Sequence, residues 1–305
     1  MPSAERPRSR PAEPRPATGA PARAERVPPD AIPGRRELSP EEVLKWRALK
    51  RQIQLRAGLC CEGYKDRVLQ RRVAVRMRAR GVDTHADYAA LLERDPQEYV
   101  ELLDTVTINV SKFFRNASMW VILRDRVLPE LARREEGEVR IWSAGCAAGE
   151  EPYSLAMLVR QLAEARRIDA ARVKILATDV DAGALEAAQR AEYGAFAFTE
   201  MSDSTRTRWF KGPKRDRLRA EIRAMVRFER MDLMNGALPP DQHLILCRNV
   251  LIYFERPVQL ALFERFHQAL LPGGYLQLGK VETLFGATTG MFATVSARER
   301  LFQRV

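Results

Sequence analysis

The stretch Val139–Ala156 constrains the fold more than any other part of the chain. It begins with an apolar run ending at Trp142, turns through small residues between Gly145 and Gly149, and continues as a helix-like pattern from about Ser154. Strand, tight turn and helix in this order let a nucleotide-like ligand lie against the backbone at the carboxyl end of the strand. Glycine removes the Cβ that would block this approach. The stretch therefore predicts a ligand-binding strand–helix unit of an α/β sheet.

A second apolar run, Val173–Asp179, strengthens this interpretation. Its final acidic residue is placed to accept hydrogen bonds from the hydroxyls of a ribose. The alternative for Asp179 is an N-cap on the helix predicted over Ala182–Ala191, a role that Thr178 and Asp181 also suit. The first unit lacks the Gly-Lys-Ser/Thr of a P-loop and the Gly-x-Gly-x-x-Gly of a dinucleotide site. Paired glycines also occur where a helix simply packs closely on a sheet.

Composition excludes several classes of protein. The chain has 305 residues, a net charge of +11, four cysteines and three histidines. No cysteine pair has the Cys-x-x-Cys spacing, so we expect no metal site, and so few cysteines fit a reducing cytosol. No stretch has the length and apolar character of a membrane-spanning helix, and no signal peptide is evident. We expect a cytoplasmic protein, a monomer, with acidic partners.

Three regions follow one another along the chain. Residues 1–37 are rich in Pro, Ala and Arg and are predicted to be a disordered tail, because they bury too little apolar surface to fold. Residues 38–104 predict a small helical domain, whose first helix begins with a capping box at Ser39. Residues 105–305 alternate strand and helix patterns, which predicts an open, mostly parallel sheet. Within them, 196–225 has poor periodicity and is interpreted as an insert with a small hairpin.

The excess positive charge is concentrated in the helical domain. Residues 51–80 hold nine basic residues against two acidic ones. A helix predicted from about Tyr64 to Arg80 has an apolar residue at every fourth position from Leu69, the mark of a buried stripe. Before Arg80, the helix carries five arginines. Arg67, Arg71 and Arg78 share the side opposite the apolar stripe, and Arg72 and Arg76 flank them. A solvated face is the alternative, but we interpret these arginines as a surface for an acidic partner.

Polar residues at predicted strand ends outline a candidate site. Thr105–Arg115 is unusual, because β-branched residues alternate in it with the polar residues Thr107, Asn109 and Ser111. In an extended segment these three share one face, where they can bind the carboxylate and amine of a ligand; an edge strand or linker is the alternative. Asp179, Asp232 and Asn249 each follow a predicted strand. The carboxyl ends of parallel strands lie at one edge, so these side chains can converge.

Four segments together resemble the CheR-type chemotaxis receptor methyltransferases, in the order and spacing of that family. They are Thr107–Arg115, Trp142–Ser154 with its Trp-Ser-Ala-Gly-Cys and Gly-Glu-Glu-Pro-Tyr-Ser, Ala177–Asp179, and Cys247–Phe254. The resemblance covers about 38–305. It implies a class I S-adenosylmethionine-dependent, Rossmann-like methyltransferase domain that carries a small all-α N-terminal domain and an inserted β-subdomain. Such enzymes esterify glutamate side chains of chemoreceptors and release S-adenosyl-L-homocysteine.

The resemblance also implies residue roles. The cofactor site would be formed by Asn109, Ser111, Arg115, Ala144, Glu150, Asp179, Asp232, Leu233, Arg248 and Asn249. Arg115 and Tyr253 would be the catalytic residues. The basic helix, through Arg67, Arg71, Arg72, Arg76 and Arg78, would face the cytoplasmic helical methylation region of chemoreceptors, with no nucleic acid bound and no membrane insertion. Val281, before Glu282, departs from a family pattern that usually has Ser there.

Two rival functions remain open at this point. A net charge of +11 also suits a nucleic-acid methyltransferase, which would need an aromatic platform or a pocket for a flipped base. A regulatory binding module with the same fold but no cofactor is the non-enzymatic rival. Asp179, Glu150 and Arg115 argue against the second rival, because all three motif residues are present.

Overall fold

The computed structural model of the chain describes residues 39–107 and 109–305, so the predicted tail lies outside the described residues. The helices are α1 (Pro40–Ala57), α2 (Asp66–Arg80), α3 (His85–Arg94), α4 (Gln97–Val106), α5 (Ala117–Ile122), α6 (Leu128–Arg134), α7 (Glu150–Glu164), α8 (Ala182–Arg190), α9 (Asp203–Trp209), α10 (Ala220–Arg223) and α11 (Arg256–Ala269). The strands are β1 (Val139–Ala144), β2 (Val173–Asp179), β3 (Phe210–Lys211), β4 (Arg217–Leu218), β5 (Val226–Arg230), β6 (Gln242–Cys247), β7 (Leu270–Leu278), β8 (Phe292–Ser296) and β9 (Leu301–Arg304).

Helices α1 to α4 form the N-terminal helical unit. The predicted capping box is present, since the Ser39 side chain accepts from the backbone N–H of Glu42 and the Glu42 side chain accepts in return. The predicted apolar stripe of α2 is buried at Leu69, Val73 and Met77. Burial of this stripe against the other helices fixes which side of α2 faces water.

A seven-stranded sheet forms the rest of the architecture. Its strand order is β5-β2-β1-β6-β7-β9-β8. The first five strands in this order are parallel, and β9 is antiparallel to both β7 and β8. The chain leaves β1 towards β2 on one side and later returns to β6 on the other. This reversal opens a crevice beyond the carboxyl ends of β1, β2 and β6, where open α/β sheets bind ligands.

The helical unit packs directly against the sheet. Tyr64, before α2, forms an antiparallel bridge with Phe254 after β6, and their rings meet edge to face at 5.0 Å. The Lys65 Nζ donates to the backbone carbonyl of Ile252 at 2.9 Å. Buried residues of α1 to α4 and of the sheet belong to one continuous apolar core, which includes Trp46 and Trp142. The start of α2 is therefore held beside the loop that follows β6.

The inserted segment supplies the second, two-stranded sheet. Strands β3 and β4 pair antiparallel, within the region 196–225. Phe113, Tyr193, Phe198 and Phe210 form an aromatic cluster that joins this insert to the chain before α5. Within the part of the chain that the structure describes, no helix is long and apolar enough to cross a membrane. The fold class predicted from the sequence is confirmed.

The segment 105–115 departs from the extended conformation considered above. Helix α4 continues through Val106, and the described residues after Thr107 form irregular loop rather than strand. The polar residues therefore do not alternate across a pleated surface. Instead, side-chain hydrogen bonds fix Thr107 and Asn109 individually.

Candidate functional site

A cleft of about 240 Å³ lies at the carboxyl ends of β1, β2 and β6. Eight of the ten cofactor residues implied by the sequence line it: Asn109, Ser111, Arg115, Asp179, Asp232, Leu233, Arg248 and Asn249. Tyr253 lines it as well. The convergence of three strand ends at one edge of the sheet brings these distant parts of the sequence together.

Asp179, at the end of β2, forms an acceptor at the floor of the cleft. Its Oδ2 accepts the backbone N–H of Ala147 at 2.8 Å and its Oδ1 accepts that of Asp181 at 3.0 Å. Burial raises the pKa of Asp179, although these two hydrogen bonds offset part of the effect. The N-cap of α8 is Asp181, which accepts from Gly183 and Ala184. Asp179 is therefore not the helix cap, and its carboxylate faces the cleft as an acceptor.

The acidic residue of α7 that reaches the cleft is Glu151, not Glu150. Glu151 lines the cleft, accepts from the Ser143 hydroxyl at 2.9 Å and pairs with Arg248. Glu150 lies outside the cleft lining, is 5 % exposed, and has a carboxylate oxygen with no hydrogen-bond partner among the described residues. Burial raises the pKa of Glu150 to about 7. Adjacent helix positions point about 100° apart, which sequence similarity alone could not resolve.

The turn after β1 also differs from the sequence assignment. Ala144 is fully buried in β1 and does not line the cleft, whereas Gly145, Cys146 and Ala147 do. Gly145 has φ +77°, and a Cβ there would lie 2.4 Å from the side chain of Val250. The turn thus needs glycine for both its backbone conformation and its close contact.

Arg248 lines the cleft and links two of its parts. Its Nη1 lies 3.0 Å from Glu151 Oε2, and its Nη2 donates to the Arg115 carbonyl and the Asn116 side chain at 2.9 Å each. Both members of the pair with Glu151 are buried, where removal of one partner is costly. Arg248 therefore ties the start of α7 to the segment that carries Arg115.

The loop after α4 is tied to the same edge by Asp181. Its Oδ2 accepts from the Thr107 hydroxyl at 2.7 Å and from the Asn109 amide at 2.6 Å. These bonds link residues more than seventy positions apart. The Asn109 amide is thus committed to Asp181, while Ser111 lines the cleft nearby. The sequence pattern indicates Asp181 only as a helix cap, and nothing in it shows that the same carboxylate holds the loop after α4.

One wall of the cleft is apolar and is shared by both units. Leu233 and Met231, after β5, line it together with Tyr64 from the helical unit. Asp232 lies between them and accepts from the backbone N–H of Met234 at 2.9 Å. Tyr64 carries no motif of its own, so only the docking of the helical unit reveals it.

The arginines of α2 do not form one equivalent surface. Arg67, Arg71 and Arg78 are exposed, as the helical spacing predicts. Arg76 instead donates from Nε and Nη2 to the fully buried carboxylate of Glu98, at 2.8 Å each. Its assignment to the partner-facing surface is therefore wrong, because its guanidinium stabilises the contact between α2 and α4.

Arg72 lies between the exposed face of α2 and the cleft. It is half-buried, and its Nε is buried with no hydrogen-bond partner among the described residues. Burial raises the pKa of Tyr253, and the positive charges of Arg72, Arg115 and Arg71 oppose this shift. The negative charge of Glu282 adds to the rise, so charges of both signs influence the Tyr253 hydroxyl.

The fold and the cleft define a class I S-adenosylmethionine-dependent methyltransferase. Residues 109–301 match the family described as "CheR methyltransferase, SAM binding domain", and residues 45–107 match "CheR methyltransferase, all-alpha domain". The chain belongs to the CheR methyltransferase family.

Individual relatives agree with this assignment. The chain is 33% identical to a chemotaxis protein methyltransferase of Listeria monocytogenes over 251 residues, which covers 82% of this chain and 92% of the relative. It is 38% identical over 189 residues to chemotaxis protein methyltransferase 1 of Pseudomonas aeruginosa, covering 60% and 69%. A relative in Borreliella burgdorferi is 30% identical over 239 residues, covering 75% and 84%.

The residues of the cleft fit S-adenosylmethionine. The carboxylate of Asp179, which lines the cleft, can accept hydrogen bonds from the hydroxyls of a ribose. Met231 and Leu233 offer an apolar surface for the flat adenine. Arg115, which has no carboxylate within ion-pair distance among the described residues, supplies a cation to the cleft lining.

Proposed function

We propose that the chain transfers a methyl group from S-adenosylmethionine to glutamate side chains of chemoreceptors, which forms glutamyl methyl esters. The names of the relatives support a role in chemotaxis. The observation that carries the acceptor class is Arg115, which lines the cleft and has no carboxylate within ion-pair distance among the described residues. A cation without an acidic partner in the cleft favours an anionic acceptor.

The reaction needs no general base. When bound, S-adenosylmethionine supplies an electrophilic methyl group on its sulfonium. A glutamate side chain has an ordinary pKa of about 4.3, so the acceptor is already ionised at neutral pH. The protein has to align the carboxylate and remove water from it. This agrees with a cleft whose described lining contains no histidine and whose Cys146 is buried, with the pKa of its thiol raised by burial.

The residues of the cleft divide this work. We assign Asp179 to the ribose hydroxyls, and Asp232 with Leu233 to the adenine. Arg115 would orient the acceptor carboxylate, and Tyr253 would stand beside the methyl that is transferred. Further cofactor contacts are assigned to the loop residues Asn109, Ser111, Arg248 and Asn249.

The exposed face of α2 would bind the acceptor protein before the reaction. Arg67, Arg71 and Arg78 present a basic surface that matches an acidic helix, and Arg72 connects this surface to the cleft. We place the acceptor glutamates on the cytoplasmic helical methylation region of chemoreceptors. The enzyme would then be a cytoplasmic monomer.

Tritiated methyl transfer to cytoplasmic receptor fragments tests this function. The fragments are incubated with the full chain and labelled S-adenosylmethionine, and base-labile methyl ester is measured. Matched fragments with Gln in place of the candidate acceptor glutamates serve as the control. We expect ester in the first set only. Equal labelling of both sets would contradict the glutamate assignment.

The same assay separates the rival functions. Labelling of RNA or DNA at physiological salt, with unlabelled receptor fragments, would replace the proposal with a nucleic-acid methyltransferase. Failure to bind S-adenosylmethionine in a calorimeter would favour the cofactor-less module. The basic surface alone does not distinguish these outcomes, because phosphates and carboxylates both respond to positive charge.

A further inference from the structure

The loop after β6 lines the cleft, and its only regular structure is a three-residue 3₁₀ turn, Leu251–Tyr253. Asn249, Val250, Ile252 and Tyr253 all line the cleft. Asn249 has φ +61°, in the left-handed region. A non-glycine residue keeps this conformation when its surroundings enforce it. Contacts from outside the loop therefore have to hold Asn249 in this conformation.

Glu282, which follows the neighbouring strand β7, makes these contacts. Its Oε2 accepts the backbone N–H of Asn249 at 2.9 Å and that of Gly279 at 2.7 Å. Its Oε1 accepts the backbone N–H of Ile252 at 3.3 Å. Glu282 is 5 % exposed, so these charge-assisted hydrogen bonds form away from water, where they are strong.

Packing around the carboxylate connects it to the turn after β1. A Cβ on Gly279 would lie 2.6 Å from Glu282 Oε2 and 2.8 Å from the Asn249 nitrogen. On the other side of the loop, Val250 lies against Gly145 with no space for a side chain there. A displacement of the loop would therefore also displace the turn that lines the cleft.

We propose that Glu282 is a positioning residue of the cofactor cleft, which holds the loop from Asn249 to Tyr253 in its binding conformation. It does not line the cleft itself, so it acts through the backbone of that loop. The inference deepens the proposed function and rests on it only for the position of the methyl acceptor.

Binding of S-adenosyl-L-homocysteine by calorimetry tests the inference without any acceptor. Glu282→Gln keeps the size but turns an NH₂ group towards at least one of these N–H donors. We expect the Kd to rise about tenfold, as for the loss of a hydrogen bond to a charged group. Lys280→Ala, at an exposed position in the same turn, is the matched control and should leave the Kd unchanged.

A double-mutant cycle separates positioning from general loss of stability. If Glu282 acts through Asn249, the effect of Glu282→Gln should fall below about threefold in an Asn249→Gly background, because coupled sites are non-additive. It should stay about tenfold in an Asp232→Asn background, which changes a different loop of the cleft. Glycine is chosen at position 249 because it keeps the positive φ.

Two results would overturn the inference. One is an unchanged Kd in Glu282→Gln, and the other is an equal effect in both backgrounds. Neither depends on the acceptor. If the wild-type chain binds S-adenosyl-L-homocysteine but leaves receptor fragments unlabelled, the proposed acceptor fails while the inference on Glu282 still stands.

Discussion

The cleft and the outer face of α2 both carry charged groups, but they hold them differently. In the cleft, Asp179 and Arg248 are buried and have defined hydrogen-bond partners. On α2, Arg67, Arg71 and Arg78 are exposed. Buried, partnered groups keep one geometry and suit a single small ligand. Exposed cations attract over a distance and tolerate variation in the partner.

Two residues, one on α2 and one beside the cleft, do not follow this contrast. Arg76 lies on α2 but is paired with a buried carboxylate, like a residue of the cleft. Glu150 lies at the start of α7 but has a buried oxygen with no hydrogen-bond partner among the described residues. If burial and hydrogen-bond partners determine the role of a charged residue, Arg76 should affect folding stability rather than partner binding. Glu150 should make stability depend on pH.

Arg76→Ala should have the largest effect on stability. Glu98 is fully buried and accepts from Arg76, Arg80 and Tyr88. Loss of one partner from a buried ion pair costs about 3–5 kcal/mol, and we expect about 3 because Arg80 remains. Urea unfolding measures the change. Arg78→Ala, on the exposed face of the same helix, should stay within about 0.5 kcal/mol; similar losses in both variants would contradict the contrast.

The pH dependence of unfolding should reveal the network around Glu98 as well. Burial raises the pKa of Glu98, but hydrogen bonds from Arg76 and Tyr88 outweigh it, so the net pKa is lowered. A group with a lowered pKa stabilises the fold at pH values above its ordinary pKa. This stabilisation is lost as the pH falls through the lowered pKa. The excess stability of the wild type over Arg76→Ala should therefore shrink as the pH falls below about 4.

Glu150→Gln should stabilise the protein at high pH. The pKa of Glu150 is raised from 4.5 to about 7 by burial. For a raised pKa, the stability is fully present below the unfolded value and is lost as the pH rises through the folded one. The Gln variant has no such loss, so its advantage should grow between about pH 4.5 and 8, by up to about 3 kcal/mol. Thermal unfolding of the ligand-free protein measures it, with exposed Glu186→Gln as the control. A pH-independent difference would contradict the assignment.

Arg115→Ala should lower turnover about 100-fold, as for loss of one preorganised donor at a reacting centre. Folding stability should change little, since Arg115 is only half-buried. Arg115→Lys should restore little activity, because only arginine offers a planar, two-pronged donor. Arg124→Ala, an exposed arginine paired with its own neighbour Asp125, is the control. Near-normal turnover without Arg115 would remove it from the site.

Asp179→Ala should weaken S-adenosylmethionine binding by about 1.5–3 kcal/mol, through loss of a charge-assisted acceptor. Calorimetry on the folded variant measures the change. Because Asp181 caps α8, helix stability should not account for it. An unchanged affinity would show that Asp179 only organises the turn around Ala147.

The polar residues at the carboxyl edge of the sheet could be predicted from the sequence, because the apolar pattern of each strand shows where the strand ends. Asp179, Asp232 and Asn249 each follow a strand, and one topological rule brings them together. Contacts between distant segments were not predictable in this way. Tyr64 reaches the cleft only because the helical unit docks on the sheet, and Glu282 contacts Asn249 from the next strand. Helical periodicity assigned the faces of α2 but could not show which arginines find partners.

Charge reversal at Arg71 and Arg78 should have the smallest effect of these changes. Its effect on receptor methylation should depend most on the salt concentration. Arg71→Glu with Arg78→Glu should lower receptor methylation several-fold, about 1 kcal/mol, because exposed pairs contribute little each. The affinity for S-adenosylmethionine should stay unchanged, since neither residue lines the cleft. Arg190→Glu with Arg227→Glu, also exposed and outside the cleft lining, makes the same change in net charge and is the control.

The salt dependence of receptor methylation shows whether this effect is electrostatic. The screening length falls from about 10 Å at 0.1 M to about 3 Å at 1 M, so the difference between wild type and the Arg71/Arg78 variant should shrink. A difference that persists at 1 M salt would mean that these arginines make fixed contacts, like those of the cleft. A different result would identify the acidic partner of α2 as a nucleic acid and not a receptor helix. In that case the same variant loses retention of RNA or DNA in a gel-shift assay, and the wild type methylates nucleic acid but not receptor fragments.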